Sequence, residues 1–361
     1  MVDLSRQHRA LRREVDKAIE GVLRSGAFVG GHHVESFERS FAEYCGAAHC
    51  IGVGNCTDAL TIALKALGIG AGDEVIVPAT SFFATAEAVS NSGARVRFCD
   101  IDWSTCNIDP NELRRLITAN TKAIVPVHLY GQPADMNAIM TIAKEHGLRV
   151  VEDCAQAVGA RYGGARVGTI GDIGCFSFYP SKNLGALGDA GAIVTNDADL
   201  ADACRRLANH GGLKRYSHDV IGYNSRLDAI QAAVLSVKLP YVDEWNRQRA
   251  EIAKRYRTAL TEVEHLAVAA ERVHVYHLYV VRTDRRDAVL ESLRRDGIAA
   301  DVHYPTALPC LAPYRADADR EPEAFPHARK HAARALSVPI FPYMTEAEIE
   351  RIAKSRAWNA A

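Results

Sequence analysis

Over its first two-thirds the chain alternates short Val- and Ile-rich runs with stretches of helical period, and this alternation narrows the fold to one class. Residues 50–53 form a short apolar run. Residues 74–78 (EVIVP), 95–99, 123–127, 149–152 (RVVE), 175–178 and 192–195 read as strands. Between them, 57–67, 82–90, 110–118, 136–146, 200–209 and 228–239 carry apolar residues at helical spacing, as in Leu60, Leu64 and Leu67. Near-continuous apolar strands need burial on both faces, which a parallel sheet flanked by helices provides. The expected class is therefore α/β, with a large, mainly parallel, seven-stranded sheet between helices.

Pro240 marks a change. A long polar helix is expected over 242–260, followed by a smaller unit of strand (276–282), helix (287–296) and strand (298–302). The Pro- and Ala-rich stretch 306–326 reads as a loop. This divides the chain into a large domain, residues 1–240 with a helical N-terminal segment, and a smaller C-terminal α/β domain, residues 241–361.

The charge balance removes several functions. Forty-three Lys and Arg residues face 44 Asp and Glu, which leaves no basic surface of the kind nucleic acid requires. No apolar run is long enough to span a bilayer. Residues 1–21 are charged and helix-periodic without the apolar centre of a signal peptide, so a cytoplasmic protein is expected. The nine cysteines are odd in number and form no C-x-x-C pair, so neither disulfides nor a metal site is expected, and most should be small buried hydrophobes.

Four segments put polar residues where strands end and turns begin, the positions that carry function in open α/β sheets. In Gly52-Val53-Gly54-Asn55-Cys56-Thr57-Asp58 a strand passes through a glycine turn into a helix, whose exposed N–H groups suit an anion. Thr57 is equally well a plain N-cap, and the G-x-G-x-x-G dinucleotide pattern fails there because Thr57 stands in place of the third glycine. In Val150-Val151-Glu152-Asp153 a buried strand ends in two acids, one of which can pair with a protonated ring nitrogen; a carboxylate capping a turn is the plainer alternative. In Ser177-Phe178-Tyr179-Pro180-Ser181-Lys182 a strand turns at proline and presents a lysine, with glycines at 185, 188 and 191 behind it. A lysine in a dry pocket lowers its pKa and becomes a nucleophile toward a carbonyl. In Gly222-Tyr223-Asn224-Ser225-Arg226-Leu227-Asp228 a polar turn opens a helix.

Together these parts meet the needs of pyridoxal 5'-phosphate: a lysine for its aldehyde, a carboxylate for its ring nitrogen and a cradle for its phosphate. Lys182, Asp153 and the Thr57 turn fit the three roles, with Ser177 adding a hydroxyl to the cradle. At these segments the sequence resembles the DegT/DnrJ/EryC1/StrS family of sugar aminotransferases. The likeness covers nearly the whole chain, through VGNCTDAL at 53–60, GDEVIVPATSFFATAEAV at 72–89, TKAIVPVHLYGQPADM at 121–136, VEDCAQAVGA at 151–160, GDIGCFSFYPSKNLGALGDAGA at 171–192, IGYNSRLDAIQAAVLSVKL at 221–239 and DVHYP at 301–305. Cys56 and Cys154 depart from it, standing where glycine and alanine are usual.

The resemblance implies the aspartate-aminotransferase-like fold (fold type I) and a homodimer with shared active sites. It makes Lys182 and Asp153 the catalytic pair, Lys182 carrying the cofactor and Asp153 holding its ring nitrogen. It sets Gln156 at the ring hydroxyl, Phe82 on the ring face, and Thr57, Asp58 and Ser177 at the phosphate. Asn224 is expected to reach the other subunit's cofactor phosphate. The implied substrates are L-glutamate as amino donor and a nucleotide-linked keto-sugar as acceptor. The HLYGQPADM and YPSKNLGALGD stretches lean toward amination at C3 of a dTDP-3-keto-6-deoxyhexose; C4 amination of a UDP-, dTDP- or GDP-4-keto-sugar is the alternative. His303 and Tyr304 match a loop lining the sugar site, with Tyr314, His327, Lys214 and Arg226 as weaker candidates. His128 lies either near the site or in the core as a satisfied histidine. A dehydratase on the same fold would carry histidine in place of Lys182. A cofactor-binding regulator without turnover is the rival of another class.

Overall fold

The computed structural model describes residues 2–214, 216–316 and 323–360. Its centre is a seven-stranded sheet built from β1 (His49–Val53), β2 (Glu74–Pro78), β3 (Arg95–Cys99), β4 (Thr121–Ile124) and β5 (Arg149–Asp153), with two later strands. Between β5 and those strands, β6 (Arg161–Tyr162) and β7 (Ala165–Arg166) form a small hairpin; β8 (Ile173–Ser177) and β9 (Gly191–Thr195) then complete the sheet. The spatial order is β1-β9-β8-β5-β4-β2-β3. Neighbours from β8 through β3 pair in parallel, whereas β9 is antiparallel to both β1 and β8. The sheet is thus mainly parallel, with one reversed strand.

The apolar runs fill both faces as their composition demands. Val75, Ile76 and Val77 in β2, Ala123 and Ile124 in β4, Val150 and Val151 in β5, and Ala192, Ile193 and Val194 in β9 are all fully buried. Helices Cys56–Ala66, Ala84–Ser92 and Ala198–Ala208 pack on one face. Helices Arg12–Ser25, His32–Cys45 and Ala229–Lys238 gather around Phe37, Phe41, Phe176 and Phe178 on the other.

Pro240 sits in a 3-10 turn, Leu239–Tyr241, that leads into helix Val242–Ala259. Strands β10 (Glu264–His265), β12 (Tyr279–Arg282) and β13 (Ala335–Val338) form an antiparallel sheet, with β11 (Arg272–Val273) between β10 and β12 in sequence but paired to β6. A second core, including Tyr256, Tyr279, Val289, Leu336 and Trp358, lies against it. Leu278, Val280, Leu308 and Ala335 pack into the core of the large sheet instead.

Two local expectations fail. Residues 298–302 form no strand: the chain leaves helix Arg286–Arg295 through Gly297 at φ 71, Ile298 N–H returns to Leu293 O, and a single bridge, Asp301 with Ser337, is all the pairing made. The 306–326 stretch is not wholly loop, since 3-10 turn Leu308–Cys310 lies within it and helix Pro326–Arg334 begins at its last residue. Residues 317–322 lie outside the described residues. Among the described residues no helix is long and apolar enough to cross a membrane, and all nine cysteines are free.

Candidate active site

The carboxyl ends of β2, β5 and β8 open onto a cavity of about 640 Å³. One end of it is made by the start of helix Cys56–Ala66. Asn55 caps this helix, its Oδ1 accepting from Asp58 N–H at 2.8 Å. Cys56 and Thr57, in the first turn, line the cavity, and helix N-terminal N–H groups favour an anion there. Ser177, at the end of β8, adds its hydroxyl. Gly191 lets β9 pass under this turn, because a Cβ there would lie 2.6 Å from the Asn55 carbonyl carbon. Asp58 turns away: its Oδ2 accepts from Ser225 Oγ at 2.6 Å and Asn55 Nδ2 at 3.0 Å, and it is not among the lining residues.

At the other end stands Asp153, the last residue of β5 and 4% exposed. Its Oδ2 accepts from Thr85 Oγ1 at 2.7 Å, Thr85 Oγ1 lies 2.8 Å from Ser81 Oγ, and Oδ1 accepts from Ala155 N–H at 3.1 Å. Burial pushes the Asp153 carboxyl above its usual range, against the lowering effect of these hydrogen bonds and of the charge on Lys182. Lys182 follows a turn closed by its own N–H to Tyr179 O and by Ala186 N–H to Phe178 O, both 2.8 Å. Gly185 is needed for that closure, since a Cβ there would come within 2.2 Å of Pro180 O. Burial lowers the Lys182 pKa, with the nearby Cys56 and Asp153 acting the other way.

The outer wall carries Phe82, Gln156, His277, His303 and Tyr304. Phe82 is 59% exposed at the mouth, its ring 6.1 Å from that of Tyr304. Gln156 Oε1 accepts from Tyr130 N–H at 2.6 Å, and its Nε2 donates to Tyr304 Oη at 2.9 Å. His277 is buried against Asn183, Nδ1 to Oδ1 3.2 Å, and dehydration holds it well below the ordinary histidine pKa.

The structure therefore brings together Thr57, Phe82, Asp153, Gln156, Ser177, Lys182, His303 and Tyr304 from the sequence-based set. It places the others elsewhere in this chain. Asn224 and Arg226 bond each other (2.6 Å) on an exposed turn, with Arg226 also reaching Asn209, and Lys214 sits on an exposed hairpin. Tyr314 packs behind the wall on Phe83 and Phe98, its hydroxyl 2.9 Å from Ser90 Oγ. His327 starts helix Pro326–Arg334, bonding Asp100 and Ile101 O away from the cavity. His128 is a satisfied core histidine: Nδ1 accepts from Ala134 N–H at 3.0 Å and Nε2 donates to Glu152 at 2.9 Å. Ser81, Thr85 and His277 are cavity residues that the sequence reading passed over. The spacing of Ser81 and Thr85, one helical turn apart within the PATSFFAT stretch, was the available signal.

The donor set fits pyridoxal phosphate. The cavity volume lies within the range of cofactor sites. A helix N-terminus and a hydroxyl answer a phosphate, a dehydrated lysine answers an aldehyde, and a buried carboxyl facing the cavity answers a protonated ring nitrogen.

Comparison with known proteins agrees. The model of the DegT/DnrJ/EryC1/StrS aminotransferase family matches residues 9–356. A Geobacillus stearothermophilus protein named pleiotropic regulatory protein is 47% identical over 98% of this chain and 97% of its own. The dTDP-3-amino-3,6-dideoxy-alpha-D-galactopyranose transaminase of Aneurinibacillus thermoaerophilus is 46% identical over 98% and 97%. The crystal structure of S. venezuelae DesV in complex with a ketimine intermediate superimposes with a TM-score of 0.96 at 42% identity, covering 99% of this chain and 97% of that one. The chain belongs to the DegT/DnrJ/EryC1/StrS aminotransferase family. It has the fold type I architecture, and its cofactor is pyridoxal phosphate.

Proposed function

We propose that this enzyme moves an amino group from L-glutamate to the keto carbon of a nucleotide-linked sugar, at C3 of a dTDP-3-keto-6-deoxyhexose. The observation that carries the reading is the convergence of Lys182, Asp153 and the Cys56–Ala66 helix N-terminus on one cavity. The 3-amino sugar named for the Aneurinibacillus relative supports the C3 position.

When bound, the cofactor supplies a carbonyl carbon to hold the travelling amine and a ring to accept electrons. Around it, Thr57, Ser177 and the helix N-terminus bind the phosphate. Asp153 would hold a proton at the ring nitrogen by offering its negative charge there. Lys182, whose pKa burial lowers, serves as nucleophile and then moves a proton at the substrate carbon. Gln156 and Phe82 fix the ring from its edge and face.

A homodimer with shared sites accounts for the apolar side chains left in water around the exposed turn that carries Asn224: Phe28, Val29, Leu213, Val220 and Ile221, the last 97% exposed. In that assembly Asn224, Lys214 and Arg226 belong to the neighbour's cavity. The chemistry fits a cytoplasmic enzyme. The name of the Geobacillus relative suggests a regulator, and a cofactor-binding regulator without turnover would show no spectral change with glutamate, whereas the enzyme is expected to show one.

The test supplies purified enzyme, cofactor and L-glutamate with dTDP-3-keto-6-deoxyhexose and, separately, with UDP-, dTDP- and GDP-4-keto-sugars, and reads the products by mass. The proposal expects amine incorporation on the 3-keto substrate at least about tenfold faster than on any 4-keto substrate. The reverse preference moves the assignment to C4.

A further inference from the structure

We propose that Tyr130 is a positioning residue that holds the His303–Tyr304 wall of the cavity, and that His331 and Arg282 set the direction of its hydrogen bond. The inference rests on the aminotransferase reading and concerns the wall against which the acceptor sugar lies.

Tyr130 is 1% exposed and carries φ 59, a left-handed conformation that costs a non-glycine residue energy and needs compensating contacts. It grips the wall with two arms. Its hydroxyl donates to the His303 carbonyl at 2.5 Å. Its backbone N–H donates to Gln156 Oε1 at 2.6 Å, and Gln156 Nε2 donates on to Tyr304 Oη at 2.9 Å.

The first arm has a fixed polarity. Arg282 Nε donates to His331 Nδ1 at 2.9 Å, and a guanidinium only donates, so Nδ1 is the acceptor. The ring proton then sits on Nε2, 2.9 Å from Tyr130 Oη, and is given to the phenol. The phenol's own proton is left for the His303 carbonyl. Burial, reinforced by the Arg282 charge, pushes His331 down to about 3, so the ring stays neutral at any working pH. Arg282 is itself fixed: it donates to Glu264 Oε1 at 2.9 Å and to Trp103 O at 2.5 Å, with its guanidinium 3.7 Å from the Trp103 ring centre. A buried chain of donors thus runs from the small antiparallel sheet to the cavity wall. His331 lies one helical turn beyond His327, the histidine that the sequence pointed to.

Tyr130→Phe removes the first arm and keeps the ring and the second. Two readouts on the full-length protein test the proposal. Hydrogen exchange of the amides of residues 301–306, without cofactor, is expected to speed up about tenfold, the size of one buried hydrogen bond, with little change in melting temperature. With cofactor, KM for the keto-sugar nucleotide is expected to rise about five- to tenfold, while the glutamate half-reaction changes less than about twofold. His331→Ala is expected to reproduce both effects, and His331→Gln, which keeps an acceptor and a donor, to restore most of the loss. Unchanged exchange overturns the proposal, as does an equal fall in both half-reactions with a lowered melting temperature, which marks a merely structural tyrosine. If wild-type enzyme leaves glutamate untouched, the aminotransferase reading fails, and the exchange result alone then decides whether Tyr130 holds the wall.

Discussion

Glu152 and Asp153 are neighbours at the end of β5, both buried, and they face opposite sides of the sheet. Behind the sheet Glu152 is fully met: Oε2 accepts from His128 Nε2 and Gly168 N–H at 2.9 and 2.8 Å, and Oε1 from Ile170 and Gly171 N–H at 2.8 and 2.7 Å. Burial alone would raise its pKa, yet these donors hold it below the usual carboxylate range. Glu152, His128 and Cys154 have a spacing that suits a metal, but both nitrogens of His128 are already engaged. In front of the sheet Asp153 has one hydroxyl and one N–H, faces a cavity, and has a raised pKa. One polar cluster is closed and the other opens on the cavity. In the proposed function the difference separates a carboxylate that builds the fold from one that serves the cofactor.

Four substitutions sharpen that contrast. Lys182→Ala takes away nucleophile and proton carrier together, and turnover with glutamate is expected to fall by more than about 1000-fold. Asp153→Asn should slow turnover by about 100-fold or more, while cofactor still binds and the cofactor-free protein melts no lower, because its charge is unfavourable there. A normal rate in purified Asp153→Asn breaks the distinction between the two acids. Glu152→Gln is expected to show the converse: a stability loss of about 3 kcal/mol in denaturant unfolding, with turnover per folded molecule changed less than about threefold. The pH dependence follows the same division. The folded pKa of Glu152 is depressed, so its contribution is present above the unfolded value of 4.5 and is lost as pH falls through the folded one. The acid limb of the stability curve below that value should be shallower in Glu152→Gln. Smallest of all, His327→Ala, whose ring lies outside both clusters, should alter kcat/KM by less than about twofold.

Much of this was legible from sequence, for physical reasons. Val/Ile runs such as EVIVP and RVVE report burial on two faces, so the sheet and its strands could be placed. Strand direction leaves no mark on composition, and nothing in Gly191–Thr195 announces that β9 runs backwards. Residues 298–302 look like a strand because isoleucine and valine suit one, but the Gly297 exit turns the backbone so that only Asp301 finds a partner. Lys182, Asp153 and Ser177 stood out because they follow strand ends. Thr85, His277 and Tyr130 did not, since each looks like an ordinary helix, strand or core residue until the chain has folded around the cavity. His327 misled for the same reason: a histidine near the end of a loop-like stretch looks available, and only the helix register shows that His331 is the one directed inward.

The most direct test of the central claim is an absorbance spectrum of the purified protein with pyridoxal phosphate, before and after excess L-glutamate. We expect a long-wavelength band of lysine-bound cofactor that glutamate replaces with the shorter-wavelength band of its aminated form, and that Lys182→Ala lacks. A protein that takes up no cofactor, or whose long-wavelength band persists in Lys182→Ala, would contradict the account.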